Sequence, residues 1–232
     1  MRYYDINGEK FPSVTSVTNM IPKPFLDKWR KDTPDWKEIT EKSATIGIIM
    51  HYRIGCYLAE RFEKPMPELK LDNKPKMTPE LMEKINTMWA QFEEMFAEYV
   101  FVPHLIEETL VNYDPQYAGR VDLVALMGDD IWVLDFKTGK SVYDEHGAQL
   151  AAYAKCKIPG YKMYPDPIKG AIIRLNAETG WEFKEMDMVV GWNMFMDAYG
   201  KYKEAKARCK GDCKTCELDV DKCKIRPTEV VQ

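Results

Sequence analysis

The sequence has no apolar run long enough to cross a bilayer, which excludes a helical membrane span. Its first ten residues, MRYYDINGEK, lack the apolar stretch of a secretory leader and the Arg/Ser bias of a transit peptide, so a cytoplasmic, reducing compartment is expected. No internal repeat and no low-complexity tract is present, which argues against a solenoid or a disordered linker. Positive charge is not in excess: 33 Lys and Arg stand against 37 Asp and Glu, a formal net charge of -4. Bulk basicity therefore announces no polyanionic partner. A local basic face is still compatible with that balance, and so is an acidic site that holds cations. Cysteine is scarce until the end. Only Cys56 and Cys156 precede Cys209, so no disulfide framework is expected for the main body.

What remains is ordinary for a globular chain: 232 residues, 45% hydrophobic and 30% charged. That length suits one sizeable domain with a small appendage. The expected division is a main domain over residues 1–207 and a cysteine-rich tail over 208–232.

Asn7-Gly8 between short apolar stretches signals a β-hairpin. Helical spacing of Ile46, Ile49, Met50, Ile54, Tyr57 and Leu58 predicts a helix over about 36–62. Thr78 is placed as the N-cap of a second helix with Pro79 at its first position. Strands are expected over about 99–104, 106–113, 117–126 and 131–137. A helix over about 144–156, two strands over 168–175 and 181–186, and a helix over 189–207 complete the pattern. The predicted class is α/β, with a mixed central sheet flanked by helices.

The stretch IWVLDFKTGK poses the chemical question, because Asp135 and Lys137 interrupt an apolar strand. Gly128-Asp129 fits a two-residue type II′ loop before it. Counting outward from that loop, Met127 pairs with Asp130, Val124 opposes Val133, and Asp122 opposes Asp135. The two aspartates then share a face with Cβ atoms about 4.5–5.5 Å apart, and Lys137 joins them. Val121, Leu123, Ala125, Trp132, Leu134 and Phe136 are expected on the opposite face, as core. Facing carboxylates repel unless a cation lies between them, and oxygen ligands at that spacing suit Mg²⁺ or Mn²⁺. Solvated strand ends with a simple Lys–Asp pair are the alternative reading.

With these residues in view, the sequence resembles a known family. Gly119-Arg-Val-Asp122 followed by Asp135-Phe-Lys137 looks like the core of the PD-(D/E)XK nuclease superfamily. Gly47-Ile-Ile-Met-His51 resembles the GxxxH motif of its RecB-type branch and of CRISPR-associated adaptation nucleases, and Gln149-Leu-Ala-Ala-Tyr153 resembles their QxxxY motif. The opening FPSVTSVTNMIPKPFLDKW is similar to phage exonucleases of this branch and to the mitochondrial genome maintenance exonuclease family. The resemblance implies a restriction-endonuclease-like core and a Mg²⁺- or Mn²⁺-dependent deoxyribonuclease. His51, Asp122, Asp135 and the Phe136 carbonyl would be metal ligands. Lys137 would be the catalytic lysine, with Asp122 and Asp135 at the reaction centre. Gln149 and Tyr153 would position the lysine or the scissile strand. Glu107 or Glu108 would add an acidic contact, whereas His104 and His146 have no assigned role. The implied partner is DNA at single-stranded ends, in replication, recombination or repair, with or without a helicase, recombinase or replisome. A structure-specific endonuclease and a silent DNA-binding module are the rival readings.

Cys209, Cys213, Cys216 and Cys223 have spacings that suit Zn²⁺ or a [4Fe–4S] cluster. Their own locality favours zinc, and the resemblance favours iron–sulfur, with Cys56 as a possible early ligand. From Lys201 to Arg226, nine basic residues stand against five acidic ones, either a patch that tracks phosphates or a solvated face.

Overall fold

The computed structural model describes residues 2–68, 77–160 and 168–208, and the backbone of 229–231. Cys209, Cys213, Cys216 and Cys223 lie outside the described residues, as does most of the predicted tail.

The chain opens with β1 (Arg2–Ile6) and β2 (Glu9–Pro12), paired across Asn7-Gly8. Both turn residues have positive φ, the conformation this turn demands. A third strand at the far end of the chain, β8 (Glu229–Val231), runs parallel to β1. Three helices follow β2: α1 (Val14–Thr18), α2 (Pro24–Asp32) and α3 (Trp36–Arg61). In α4 (Pro79–Glu98), Thr78 accepts a hydrogen bond from the Leu81 amide, and Pro79 occupies the first turn, as the sequence predicts.

The main sheet contains β3 (Val102–Tyr113), β4 (Gln116–Met127), β5 (Asp130–Lys137), β6 (Lys169–Asn176) and β7 (Gly180–Glu185), in that spatial order. Only the β5–β6 pair is parallel, and α5 (Asp144–Ala154) makes the crossover. The expected break between two strands near residue 105 is instead a register shift within the single strand β3, between Pro103 and Leu105. The β4–β5 register follows the Gly128-Asp129 loop as read from sequence, with Met127 opposite Asp130 and Val124 opposite Val133.

Helices cover both faces. Ile46, Met50, Ile54 and Leu58 of α3, with Ile85, Met88, Phe92 and Met95 of α4, pack on Leu123, Ala125, Leu134, Phe136 and Ile173. On the other face α1, α5 and α6 (Met188–Arg208) pack on Leu110, Tyr117, Val124, Val133 and Ile172. Val121 corrects the expected pattern, because it belongs to this second core and not to the face of Leu123. The alternation of faces switches between Val121 and Leu123 on β4, and between Leu110 and Ile106 on β3. Glu107 and Asp122 stand opposite each other at the switch. The β3–β4 register passes over them, pairing Ile106 with Leu123 and Glu108 with Val121. Glu107 has φ of 52°, a left-handed backbone that reverses the alternation there.

Helices α5 and α6 meet at two glycines. A Cβ on Gly191 would lie 2.4 Å from the Gly147 carbonyl oxygen, whereas one on Gly200 of the same helix would meet nothing within 4 Å. Gly191→Ala is therefore expected to lower stability by roughly 1–3 kcal/mol through overpacking. Gly200→Ala should be neutral or stabilising through helix propensity. Thermal denaturation of the two variants checks the contrast.

Candidate active site

The main sheet opens where its acidic residues lie. The β4–β5 ladder ends at Leu123 opposite Leu134, one pair before Asp122 and Asp135. On its other side β5 stays paired with β6 through Lys137. The Phe136 amide would otherwise lose its partner at this divergence, but Asp122 Oδ2 accepts it at 2.8 Å. Both aspartates are buried, Asp135 at 1% exposure.

Side chains enter this gap from both faces. From α3, His51 Nε2 lies 2.9 Å from the Phe136 carbonyl oxygen. Its Nδ1 is 3.3 Å from Asp122 Oδ2 and 3.6 Å from Glu107 Oε1. From α5, Gln149 Nε2 donates to Asp135 Oδ1 at 2.9 Å and to the Tyr153 hydroxyl at 3.2 Å, while its Oε1 accepts from Lys137 Nζ at 3.4 Å. Lys137 Nζ is 2.5 Å from Asp135 Oδ2, a close ion pair. Arg120 Nε lies 2.8 Å from Glu107 Oε2. These groups line one cleft of about 870 Å³, which also takes in Arg2, Tyr4, Tyr52 and Met66.

Two glycines of the quoted motifs have different roles. A Cβ on Gly119 would come within 2.6 Å of the Tyr153 ring and 3.0 Å of Val14. That glycine lets α5 lie close enough for Tyr153 and Gln149 to reach the aspartates. A Cβ on Gly47 would meet only Thr138 Oγ1, at 3.5 Å, so Gly47 leaves open wall beside His51.

The electrostatics follow from burying many charges together. Burial would lower the His51 pKa, but the Asp122 carboxylate, then Glu107 and Asp135, hold it well above its ordinary value. Burial would raise Asp122, and the neighbouring His51, Lys137 and Phe136 amide bring it below the usual carboxylate range. Burial pushes Asp135 up to about 6, against the pull of Lys137 and with help from the Asp122 charge. Lys137 would be lowered by burial, but Asp135 and Asp122 raise it, so it is an ammonium at neutral pH. Burial, with the two aspartates, raises Tyr153, which stays a neutral phenol.

His51, Asp122, Asp135, Lys137, Gln149, Tyr153 and the Phe136 carbonyl thus meet in one place. Glu107 joins them, and its ligand atom lies within 4.8 Å of those of His51 and Asp122. Sequence reading left Glu107 and Glu108 as equals, and the left-handed backbone turns Glu107 toward His51 and Asp122. That conformation costs a non-glycine residue about 1–3 kcal/mol, and such strain gathers at functional sites. Two carboxylates and an imidazole at this spacing fit a hard divalent cation. His104 and His146 stay outside. His104 lies 2.7 Å from the Pro159 carbonyl oxygen. His146 Nδ1 accepts the Tyr143 amide at the start of α5. Burial, with Lys137, Lys23 and Lys184 nearby, lowers His146 to about 3, which suits that acceptor role.

Residues 55–217 match the PD-(D/E)XK nuclease superfamily, well over half of the chain. The chain belongs to this superfamily. The five-stranded mixed sheet flanked by helices is the restriction-endonuclease-like core of PD-(D/E)XK nucleases. The matched span holds Asp122, Asp135, Lys137, Gln149 and Tyr153, and begins four residues after His51. A solved structure, that of SSO0001, is similar over 60% of this chain and 68% of its own, at 15% identity and a TM-score of 0.32. No curated protein matches the sequence. Among the described residues, no helix is long and apolar enough to cross a membrane.

The pKa of Asp135 gives a test free of substrate. A carboxyl raised from 3.8 to about 6 on folding supports the fold while protonated. It loses that contribution as pH rises through about 6. In chelator-treated protein, the melting temperature of wild type relative to Asp135→Asn should therefore fall between pH 5 and pH 7.5. A constant or rising difference would show that Asp135 is not held up by burial.

Proposed function

We propose that this PD-(D/E)XK protein is a Mg²⁺- or Mn²⁺-dependent deoxyribonuclease that hydrolyses phosphodiester bonds from single-stranded DNA ends. The observation that carries this reading is the convergence of His51, Asp122, Asp135 and Lys137 in one open cleft. The superfamily supplies the reaction class, and the motif order supports the single-strand exonuclease branch.

His51, Glu107 and Asp122 would hold the metal, with Asp135, the ligand the family resemblance adds, and the second lone pair of the Phe136 carbonyl as further donors. A divalent cation supplies charge stabilisation at a phosphoryl oxygen and makes an attacking water more acidic. The protein's own groups do the rest. His51 gives its Nε2 hydrogen to the Phe136 carbonyl, which fixes the ring and turns Nδ1 toward the carboxylates. Asp135 and Asp122 hold Lys137 as an ammonium in the metal-free site, which suits an electrostatic role opposite the negative charge that develops on the phosphoryl group. Gln149 ties Lys137 to Asp135 and fixes the orientation of both. Tyr153 anchors Gln149. Tyr52, half-buried on the cleft wall, offers a ring face for an unpaired base.

Several finer points belong to the same reading. The enzyme would act in replication, recombination or repair in a cytoplasm, alone or beside a helicase, recombinase or replisome. Residues 1–207 would form the nuclease domain. Cys209, Cys213, Cys216 and Cys223 would bind Zn²⁺ or a [4Fe–4S] cluster in the tail, on the strength of their spacing.

End-labelled linear single-stranded DNA and its circular form, each with Mg²⁺ or Mn²⁺, separate the readings. Degradation of the linear strand alone is expected, abolished by Asp135→Ala and lowered roughly 10²–10³-fold by Lys137→Met. Cleavage of circles would instead identify an endonuclease. Inactivity of folded, tail-loaded protein on both would leave a DNA-binding module.

A further inference from the structure

We propose that Arg120 is a positioning residue that locks Glu107 into the metal site by holding its backbone and its side chain at once. The inference rests on the metal-dependent reading above. Glu107 is the one non-glycine residue of the main sheet with a left-handed backbone among the described residues. Left to itself, a glutamate in the middle of a strand takes an extended conformation, which would carry its carboxylate to another direction. Something must stabilise the reversal.

The Arg120 Nε hydrogen supplies it. It bonds the Glu107 carbonyl oxygen at 2.9 Å, and Nε lies 2.8 Å from Glu107 Oε2. One donor thus fixes both the main chain and the carboxylate of one residue. Arg120 can reach them because β3 and β4 pair on each side of the gap, Thr109 standing opposite Arg120 and Ile106 opposite Leu123. The regular ladder skips Glu107, which frees its carbonyl for the guanidinium. With Oε2 held by Arg120, Oε1 is left 3.6 Å from His51 Nδ1, beside Asp122. The Nε hydrogen, fixed in the guanidinium plane, suits this contact with two acceptors, whereas a lysine ammonium carries charge without that fixed direction. Arg120 acts through Glu107 and is no ligand itself, since its cation opposes a metal ion.

Mn²⁺ binding to DNA-free, chelator-treated protein, measured by calorimetry and electron paramagnetic resonance, tests the lock. Arg120→Gln is expected to weaken Mn²⁺ binding about 10–100-fold, the usual loss when a residue orienting a ligand is removed. Arg120→Lys should show a loss in the same direction, and serves if Arg120→Gln does not fold. Glu107→Gln should also weaken binding, and Arg120→Gln added to it should cost nothing more, because both act through one carboxylate. Unchanged Mn²⁺ affinity in Arg120→Gln, or losses that simply add in the double variant, would overturn the proposal. So would weaker DNA binding at unchanged Mn²⁺ affinity, which would make Arg120 a phosphate contact. Asp122→Asn separates the two levels. If it too leaves Mn²⁺ binding intact, the metal-dependent reading fails. If it abolishes binding while Arg120→Gln does not, only the lock fails.

Discussion

The site depends on one hydrogen bond, from the Phe136 amide to Asp122 Oδ2. In a continuous antiparallel pair that amide would meet a main-chain carbonyl of the neighbouring strand. Here a side chain takes the donor, and the two strands are free to separate. An unmet buried amide would cost roughly 1–3 kcal/mol, so a sheet cannot open in its interior without such a substitute. Asp122 therefore makes the gap as well as furnishing it.

The gap explains how groups from opposite sides of a sheet come together. His51 sits on a helix packed against one face, and Gln149 and Tyr153 on a helix packed against the other. A closed sheet about 10 Å from its neighbouring layer would keep them apart. Where the strands diverge, the imidazole reaches the Phe136 carbonyl from one side and the amide reaches Asp135 from the other. The left-handed turn at Glu107 extends the opening to the next strand pair, so three adjacent strands contribute to one pocket.

Much of this was legible in the sequence. Gly128-Asp129 permits one short loop, and that loop fixes the pairing of every residue down to Leu123 and Leu134. Spacings of four residues on helices placed Gly47 with His51 and Gln149 with Tyr153. What sequence could not give was the break in alternation. A strict period of two put Val121 on the face of Leu123, and nothing in a glutamate announces a positive φ at residue 107. The choice between Glu107 and Glu108 hung on that same dihedral angle. The purpose of Gly119 was equally hidden, because the ring it accommodates lies 34 positions further along the chain. The continuity of β3 and the pairing of β8 with β1 depend on contacts that no local pattern encodes.

At the centre of the pocket Asp122, Asp135 and Glu107 are paired with His51, Lys137 and Arg120, while Glu68, Glu108 and Arg2 line the cleft around them. The three central carboxylates thus have partners within the protein itself. A small zinc-dependent domain, by contrast, gains its structure only with its metal, and unfolds when a chelator removes it. On the metal-dependent reading proposed above, these pairs would support the site before a cation arrives, and the cation would displace protons already in place. On that reading, loading of the catalytic cleft would be a late, reversible step governed by the free metal concentration.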